Sequence, residues 1–373
     1  MIVDVNPFVY SRPVPPEDIV DRDDEVRLLL RHAIGGHYVR LYAPRKYGKT
    51  SLLTRALHDG GRDEGLVPVL VDLYRVSSIA DVTVRLERAY AKHLKGELRR
   101  RVEAFLQRTG VGLSLGAFGI SARLQLEPTR DPLPALHALL DLPLRLESAG
   151  GYRALIAFDE FQDIGRIDGL DGLLRSHIQH HGEVASYVFA GSEPGLMRLL
   201  FETKDRPLYG SAVPMRLGRL ADADIAAYVA ARFQSTGRAV GEALNPLLQA
   251  GRGHPQRTML LAHHLWDLVP RGSVADESAW VDGRDRALAQ AEPALRARWG
   301  SLSVNEQRVS LALATRARNL YAEETVRFLG LKKGSVDRAL AGLVGKAEAR
   351  LTPAGPELTD PLLEHWLAER GLF

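Results

Sequence analysis

The chain of 373 residues carries 49 Lys and Arg against 46 Asp and Glu, a formal charge of +3, 45% hydrophobic residues and no cysteine. Such a composition fits a globular protein with two or three separately cored domains. It excludes disulfide frames, thiolate metal sites, cysteine nucleophiles and a global polyanion-binding surface. The opening MIVDVNPFVY lacks a basic stretch followed by an apolar run, and no segment reaches bilayer-spanning length, so a cytoplasmic location without membrane partners is expected.

In chain order, prolines at 7, 13, 15 and 16 make residues 1–24 an extended arm, and RDDEVRLLLRHAIGG then has helical spacing up to paired glycines. YVRLYA reads as a strand, GKTSLLTRALHDGG as a helix and LVPVLVDLYRV as a second strand, a β-α-β order that implies a parallel sheet. The alternation is interrupted between Ser78 and Leu146. That insertion holds the basic run Lys92 to Arg108, read as the solvated face of a helix, and GVGLSLGAFGISARLQLEP, read as a β-hairpin. Strands resume in YRALIAFDE, SYVFAGS and AVPMRLGRL, which makes five. From Ala221 the strands stop and amphipathic helices follow. The end of the chain reads as three helices, a short ribbon and a closing helix, the order of a winged helix-turn-helix. The expected division is an α/β domain over 1–221 with the insertion at about 78–146, a helical region over 222–290 and a winged helix over 291–373.

LYAPRKYGKTSLL contains most of the phosphate-loop pattern GxxxxGK[ST], with Ala43 where the first glycine usually stands. In such a loop, backbone N–H groups at a strand-to-helix turn converge on anionic oxygens. Pro44, Arg45, Lys46, Tyr47, Gly48, Lys49, Thr50 and Ser51 are therefore candidate nucleotide ligands. Gly48 allows close approach, Lys49 supplies a point charge, and the Thr50 hydroxyl suits Mg²⁺. Alanine at 43 is compatible with the loop wherever φ stays negative.

ALIAFDEFQDI places Asp159 and Glu160 at the C-terminal end of a buried strand. Asp159 suits a metal, directly or through water, and Glu160 suits the polarisation of an attacking water. Ser192 ends the strand in YVFAGS on the same rim and suits a γ-phosphate sensor; Ala190 breaks the elbow pattern that a serine hydrolase needs. His177 and His181 are four apart in HIQHH, and His263, His264 and Trp266 sit among aliphatics; both groups read as helix surface and packing in preference to ligands.

NPFVYSRPVPPEDIVDRDDEV, APRKYGKTSLL, LIAFDEFQDI, VFAGSEPGLM, RPLYG and TDPLLEHWL, in that order, resemble a prokaryotic, archaeal-type P-loop ATPase family, AAA+/STAND-like and related to origin-recognition initiator ATPases. The resemblance implies an α/β fold with a P-loop (ASCE/AAA+-like) parallel five-stranded sheet and flanking helices, followed by a helical lid and a winged helix. It implies ATP/ADP and Mg²⁺ as cofactors, with Val20, Asp21 and Arg22 near the adenine. It places GRGHPQR in the lid, with His254, Pro255 or Arg257 approaching the phosphates. Ser211 stands where similar proteins carry an arginine, and Arg206, Arg216 and Arg219 are the nearby substitutes for a finger supplied across an oligomer interface.

Residues 297–373 hold eleven Lys and Arg against nine Asp and Glu. Lys332, Lys333 and Arg338, with Ser335 as a helix cap, are candidate DNA contacts, and the near-balance of charge leaves a protein client open as the alternative. Two functions follow as expectations: a Mg-dependent ATPase working as a nucleotide-driven switch, or a DNA-binding or regulatory module with structural nucleotide and negligible hydrolysis.

Overall fold

The computed structural model describes residues 5–94, 96, 99, 100, 102, 131–315 and 319–370. The hairpin expected over 110–128 and most of the basic run Lys92 to Arg108 lie outside the described residues.

All five expected strands are present: β1 (Val39–Tyr42), β2 (Val67–Asp72), β3 (Ala154–Asp159), β4 (Ala185–Gly191) and β5 (Val213–Arg216). They form one parallel sheet in the order β2-β3-β4-β1-β5. Every residue of β3 and β4 is buried, as continuous apolar runs in a sheet covered on both faces should be. In β1 burial alternates instead: Val39 and Leu41 enter the core under helix α2 (Lys49–Asp63), while Arg40 and Tyr42 alternate onto the opposite face.

The strand that leads into the lysine-threonine turn and the strand that ends in the acidic pair are not neighbours in this order. β4 lies between β1 and β3. The physical consequence favours a site: three strand ends, not two, line one rim, and the β4 end carries Ser192 into the gap.

The arm is irregular apart from a single 3₁₀ turn at Pro16–Asp18. It is pinned by Phe8, which is 1% exposed and packs against Tyr228 and Phe233 of the lid, and by a hydrogen bond from Asn6 Nδ2 to His263 O at 3.0 Å. The lid helices Asp222–Ser235, Leu244–Gly251 and Pro255–Leu268 run into one 24-residue helix, Glu277–Gly300, which continues through Pro293. The domain boundary expected at 290/291 falls inside this helix. One apolar core runs on from the lid, through Leu295 and Val309, to Leu363.

Helices Val304–Ala314, Glu323–Leu329 and Lys333–Gly345 precede an antiparallel ribbon, β6 (Ala349–Thr352) and β7 (Gly355–Leu358), and the closing helix Pro361–Arg370 completes the winged-helix arrangement. The first of these helices is opened by a reciprocal capping box between Ser303 and Glu306. No helix among the described residues is long and apolar enough to cross a membrane.

Candidate functional site

Gly48 caps α2 at φ 81°, and the space around a side chain there is empty. Glycine is thus required by backbone conformation and not by crowding. Ala43 is fully buried, is absent from the positive-φ residues and donates its N–H to Gly191 O at 3.2 Å, so the loop opens from the sheet without a glycine. Lys46 and Glu160, on the two sides of the site, both adopt left-handed conformations, at φ 68° and 52°. Non-glycine residues held there carry strain of about 1–3 kcal/mol, a pattern found at functional sites.

The side chains from the distant segments meet. Lys49 Nζ donates to Asp159 Oδ1 at 2.5 Å and to Glu160 Oε1 at 2.8 Å, and Thr50 Oγ1 donates to Asp159 Oδ2 at 2.6 Å. Ser192 Oγ donates to Glu160 Oε2 at 2.7 Å. Burial by itself would raise the Glu160 carboxyl, but the Lys49 ammonium and hydrogen bonds from Lys49, Gln162 and Ser192 outweigh it and hold the group below its ordinary range. Glu160 is therefore an anion at neutral pH, ringed by donors.

Lys49, Thr50, Glu160 and Ser192 border a cavity of about 320 Å³, within the range of small-molecule sites. It is lined by the phosphate-loop residues Arg45 to Ser51, by Glu160 and Ser192, by Val20 and Arg22 on the arm side and by Pro255 from the lid. Val14 N–H donates to Ser51 Oγ at 3.3 Å and ties the arm to α2. Arg22 is buried, bonded to Glu25 at 2.6 Å and to Gly218 O at 2.8 Å, and so braces the wall.

Three expected ligands stand elsewhere. Asp159 lies beneath Lys49 and Thr50, bonded to both. Pro44 lines a separate cavity on the other face of the sheet. Arg257 is 2% exposed and is turned away from the cavity into a fork with Asp360, Nη2 to Oδ2 at 2.6 Å and Nε to Oδ1 at 3.0 Å. The expected approach of Arg257 to the phosphates is not seen, because a fully buried guanidinium takes the nearest buried carboxylate. Asp360 also accepts from Arg298 at 2.7 Å. His254 caps the same helix by accepting from Arg257 N–H at 3.3 Å, and burial pushes it down to about 3.

Gln162 was missed. Its Nε2 donates to Glu160 Oε2 at 2.6 Å and its Oε1 accepts from Ser192 N–H at 3.3 Å, so it joins the β3 and β4 ends. Its position two residues past Glu160, inside the quoted FDEFQDI, was the available signal. Tyr10, Ile19, Tyr228 and Met259, which line the apolar part of the cavity, carried none, being scattered over the arm and lid.

The finger substitutes all have local partners: Arg206 pairs with Asp171 at 3.1 Å, Arg219 with Glu357 at 3.2 Å, and Arg216 lies over the Tyr42 ring at 5.8 Å. His177 and His181 do not share a helix face, because the helix ends at Ile178. His177 bonds Asp141 and His137, each at 2.7 Å, while His181 bonds Tyr187 and is pushed down to about 4 by burial. No cluster of three metal-ligating side chains occurs among the described residues. His263 and Trp266 are packing groups bonded to Phe8 O and Thr236, as expected.

Comparison with solved structures decides the architecture. The Walker-type ATPase PABY2304 of Pyrococcus abyssi superimposes with a TM-score of 0.71 at 18% identity, covering 97% of this chain and 99% of that one. The chain shares the fold of that Walker-type ATPase. The Aeropyrum pernix ORC2 protein, solved in ADPNP–ADP complexes, matches with a TM-score of 0.59 at 15% identity over 98% and 96% of the two chains. Its ADP form matches at 0.51 and 16% identity over 99% and 96%. Neither a protein-family model nor a curated protein sequence matches the chain. At these identities the likeness is one of fold, and it extends over nearly the whole chain.

Proposed function

We propose that the chain is a Mg-dependent ATPase that works as a nucleotide-driven switch. The observation that carries the reading is the meeting of Lys49, Thr50, Glu160 and Ser192, from three strand ends, at the rim of one cavity, with Asp159 bonded beneath Lys49 and Thr50. The amides at the start of α2 and Lys49 hold the β- and γ-phosphates of ATP, with the helix dipole adding to the attraction. Val20, the arm and the lid face of Tyr228 and Met259 enclose the base.

Thr50 Oγ1 and Asp159 Oδ2 are both hard oxygen donors and lie 2.6 Å apart, which fits Mg²⁺. Thr50 and Asp159 would hold the ion, which would supply positive charge to the phosphate oxygens. Glu160, kept anionic by its surroundings, orients and deprotonates the attacking water, and its hydrogen bond from Ser192 moves with the γ-phosphate. In this chain Lys49 must exchange its carboxylate partners for phosphate oxygens, so ATP entry also releases Glu160 for the water.

The test is phosphate release by the full chain with Mg²⁺ and ATP. Turnover that survives Lys49→Ala unchanged would overturn the reading. A second reading, in which nucleotide is a structural ligand and hydrolysis is negligible, is favoured by the ion pairs that hold Arg206 and Arg219. Without a finger, turnover falls by roughly three to five orders of magnitude. Tight nucleotide binding with no turnover, with or without duplex DNA, would select it. DNA contact through Lys332, Lys333 and Arg338 belongs to either reading; all three are exposed, Lys332 as the N-cap in place of the expected Ser335, and Lys333 and Arg338 in the N-terminal half of the helix.

A further inference from the structure

A second cavity, of about 110 Å³, opens on the sheet face opposite α2. Arg40 and Tyr42 of β1, Pro194 and Arg198 from helix Pro194–Glu202, Arg216, and Arg350 and Thr359 from the winged helix border it. Thr359 is 2% exposed. Its N–H is donated to Glu348 O at 2.9 Å and its carbonyl accepts from Tyr47 Oη at 3.3 Å, but its Oγ1 has no hydrogen-bond partner among the described residues. Arg40 Nε is in the same condition, although its Nη1 reaches Glu202 at 2.6 Å.

A buried polar group without a partner costs about 1–3 kcal/mol. Here two donors, on separate elements, border one small cavity. Arg198 and Arg216 add exposed guanidiniums that form no ion pair among the described residues, and Arg350 is shared with Glu357. Four guanidiniums thus stand against two carboxylates, Glu202 and Glu357, and the local excess is positive.

We propose that this cavity is a binding site for a single phosphate group. Thr359 Oγ1 and Arg40 Nε donate to its oxygens, and Arg198 and Arg216 close over it as planar forks suited to a tetrahedral oxyanion. The volume, a third of that of the nucleotide cavity, has room for an oxyanion and none for a base and sugar. The group bridges the sheet and the winged helix, and Tyr47 links it to the phosphate loop. It is either free phosphate, the product of hydrolysis included, or a phosphate of a nucleic-acid backbone.

The test is calorimetric titration of the full chain with inorganic phosphate, its P-loop first filled with a non-hydrolysable ATP analogue and Mg²⁺. One saturable site per chain is expected, weakened about tenfold in Thr359→Val and more in Arg198→Ala/Arg216→Ala. Thr359→Val keeps the side-chain size, the two arginines are exposed and lie outside the core, and unchanged analogue affinity shows that each variant is folded. Should the analogue not bind, Lys49→Ala disables the P-loop for the same titration, which separates failure of this site from failure of the ATPase reading. Absence of saturable binding, or binding untouched by the combined variants, would overturn the proposal. Competition by a short duplex assigns the site to backbone phosphate, and lack of competition assigns it to the free ion.

Discussion

Two ionic clusters in this molecule use the same residue types to different ends. At the phosphate loop, Lys49 is shared between Asp159 and Glu160, and Glu160, about a fifth exposed, borders an open cavity. At the junction of lid and winged helix, Asp360 is shared between Arg257 and Arg298, and both members of the Arg257–Asp360 pair are at most 2% exposed. The difference lies in access. A cation beside an open cavity can trade its carboxylates for an arriving anion at small cost, whereas a sealed pair has no such exchange and fixes a geometry instead.

Removing a charge from each cluster should therefore give unlike results. Lys49→Ala should lower nucleotide affinity and turnover most, by about three orders of magnitude, while the melting temperature moves little; a large loss of stability with normal turnover would invert the comparison. Glu160→Gln should keep ATP binding and slow phosphate release by roughly two to four orders of magnitude; equal turnover would remove Glu160 from the water-activating role.

Asp360→Asn should leave Arg257 buried without its counter-charge and cost about 3–5 kcal/mol in urea unfolding, with no requirement that nucleotide affinity fall. The same cluster sets an acid response. His254 titrates near 6.5 when unfolded but at about 3 in the fold, so between those values the unfolded chain binds the extra proton and stability falls as pH falls. Asp360 is depressed below its ordinary 3.8, burial being outweighed by Arg257, so its contribution is present above that value and is lost on further acidification. His254→Gln should flatten the stability profile between pH 6.5 and pH 5 by about 2 kcal/mol; an unchanged slope would place the sensitive group elsewhere.

The smallest expected effect concerns the winged helix. If DNA is the partner, Lys332→Ala/Lys333→Ala should weaken it severalfold and reduce the salt slope by about two. A salt slope equal to that of the unmodified chain would point to a protein client.

The five strands, the helix opened at Lys49 and the acidic strand end were legible because each is a local pattern: a run of apolar residues, a glycine-lysine-threonine turn, a polar pair closing a buried strand. Gln162 lay within reach of the same reading, two residues beyond Glu160. Arg257 was misread because its fate depends on Asp360, 103 residues later, and nothing in GRGHPQR says which carboxylate will be sealed in beside it. The helical spacing of His177 and His181 misled for a related reason: the helix ends at Ile178, and burial against Tyr187 takes the second histidine away from the first.

By itself the sequence determined which groups could carry the chemistry, since side-chain type and backbone freedom at Gly48, Lys49, Thr50, Asp159 and Glu160 are local properties. Only the tertiary structure decided which charges meet. It put β4 between β1 and β3 and so brought in Ser192, it sealed Arg257 against Asp360, and it left Thr359 and Arg40 with donors to spare in a shared cavity. Pairing among buried charges is set by which partners are excluded from water together, and that is a property of packing.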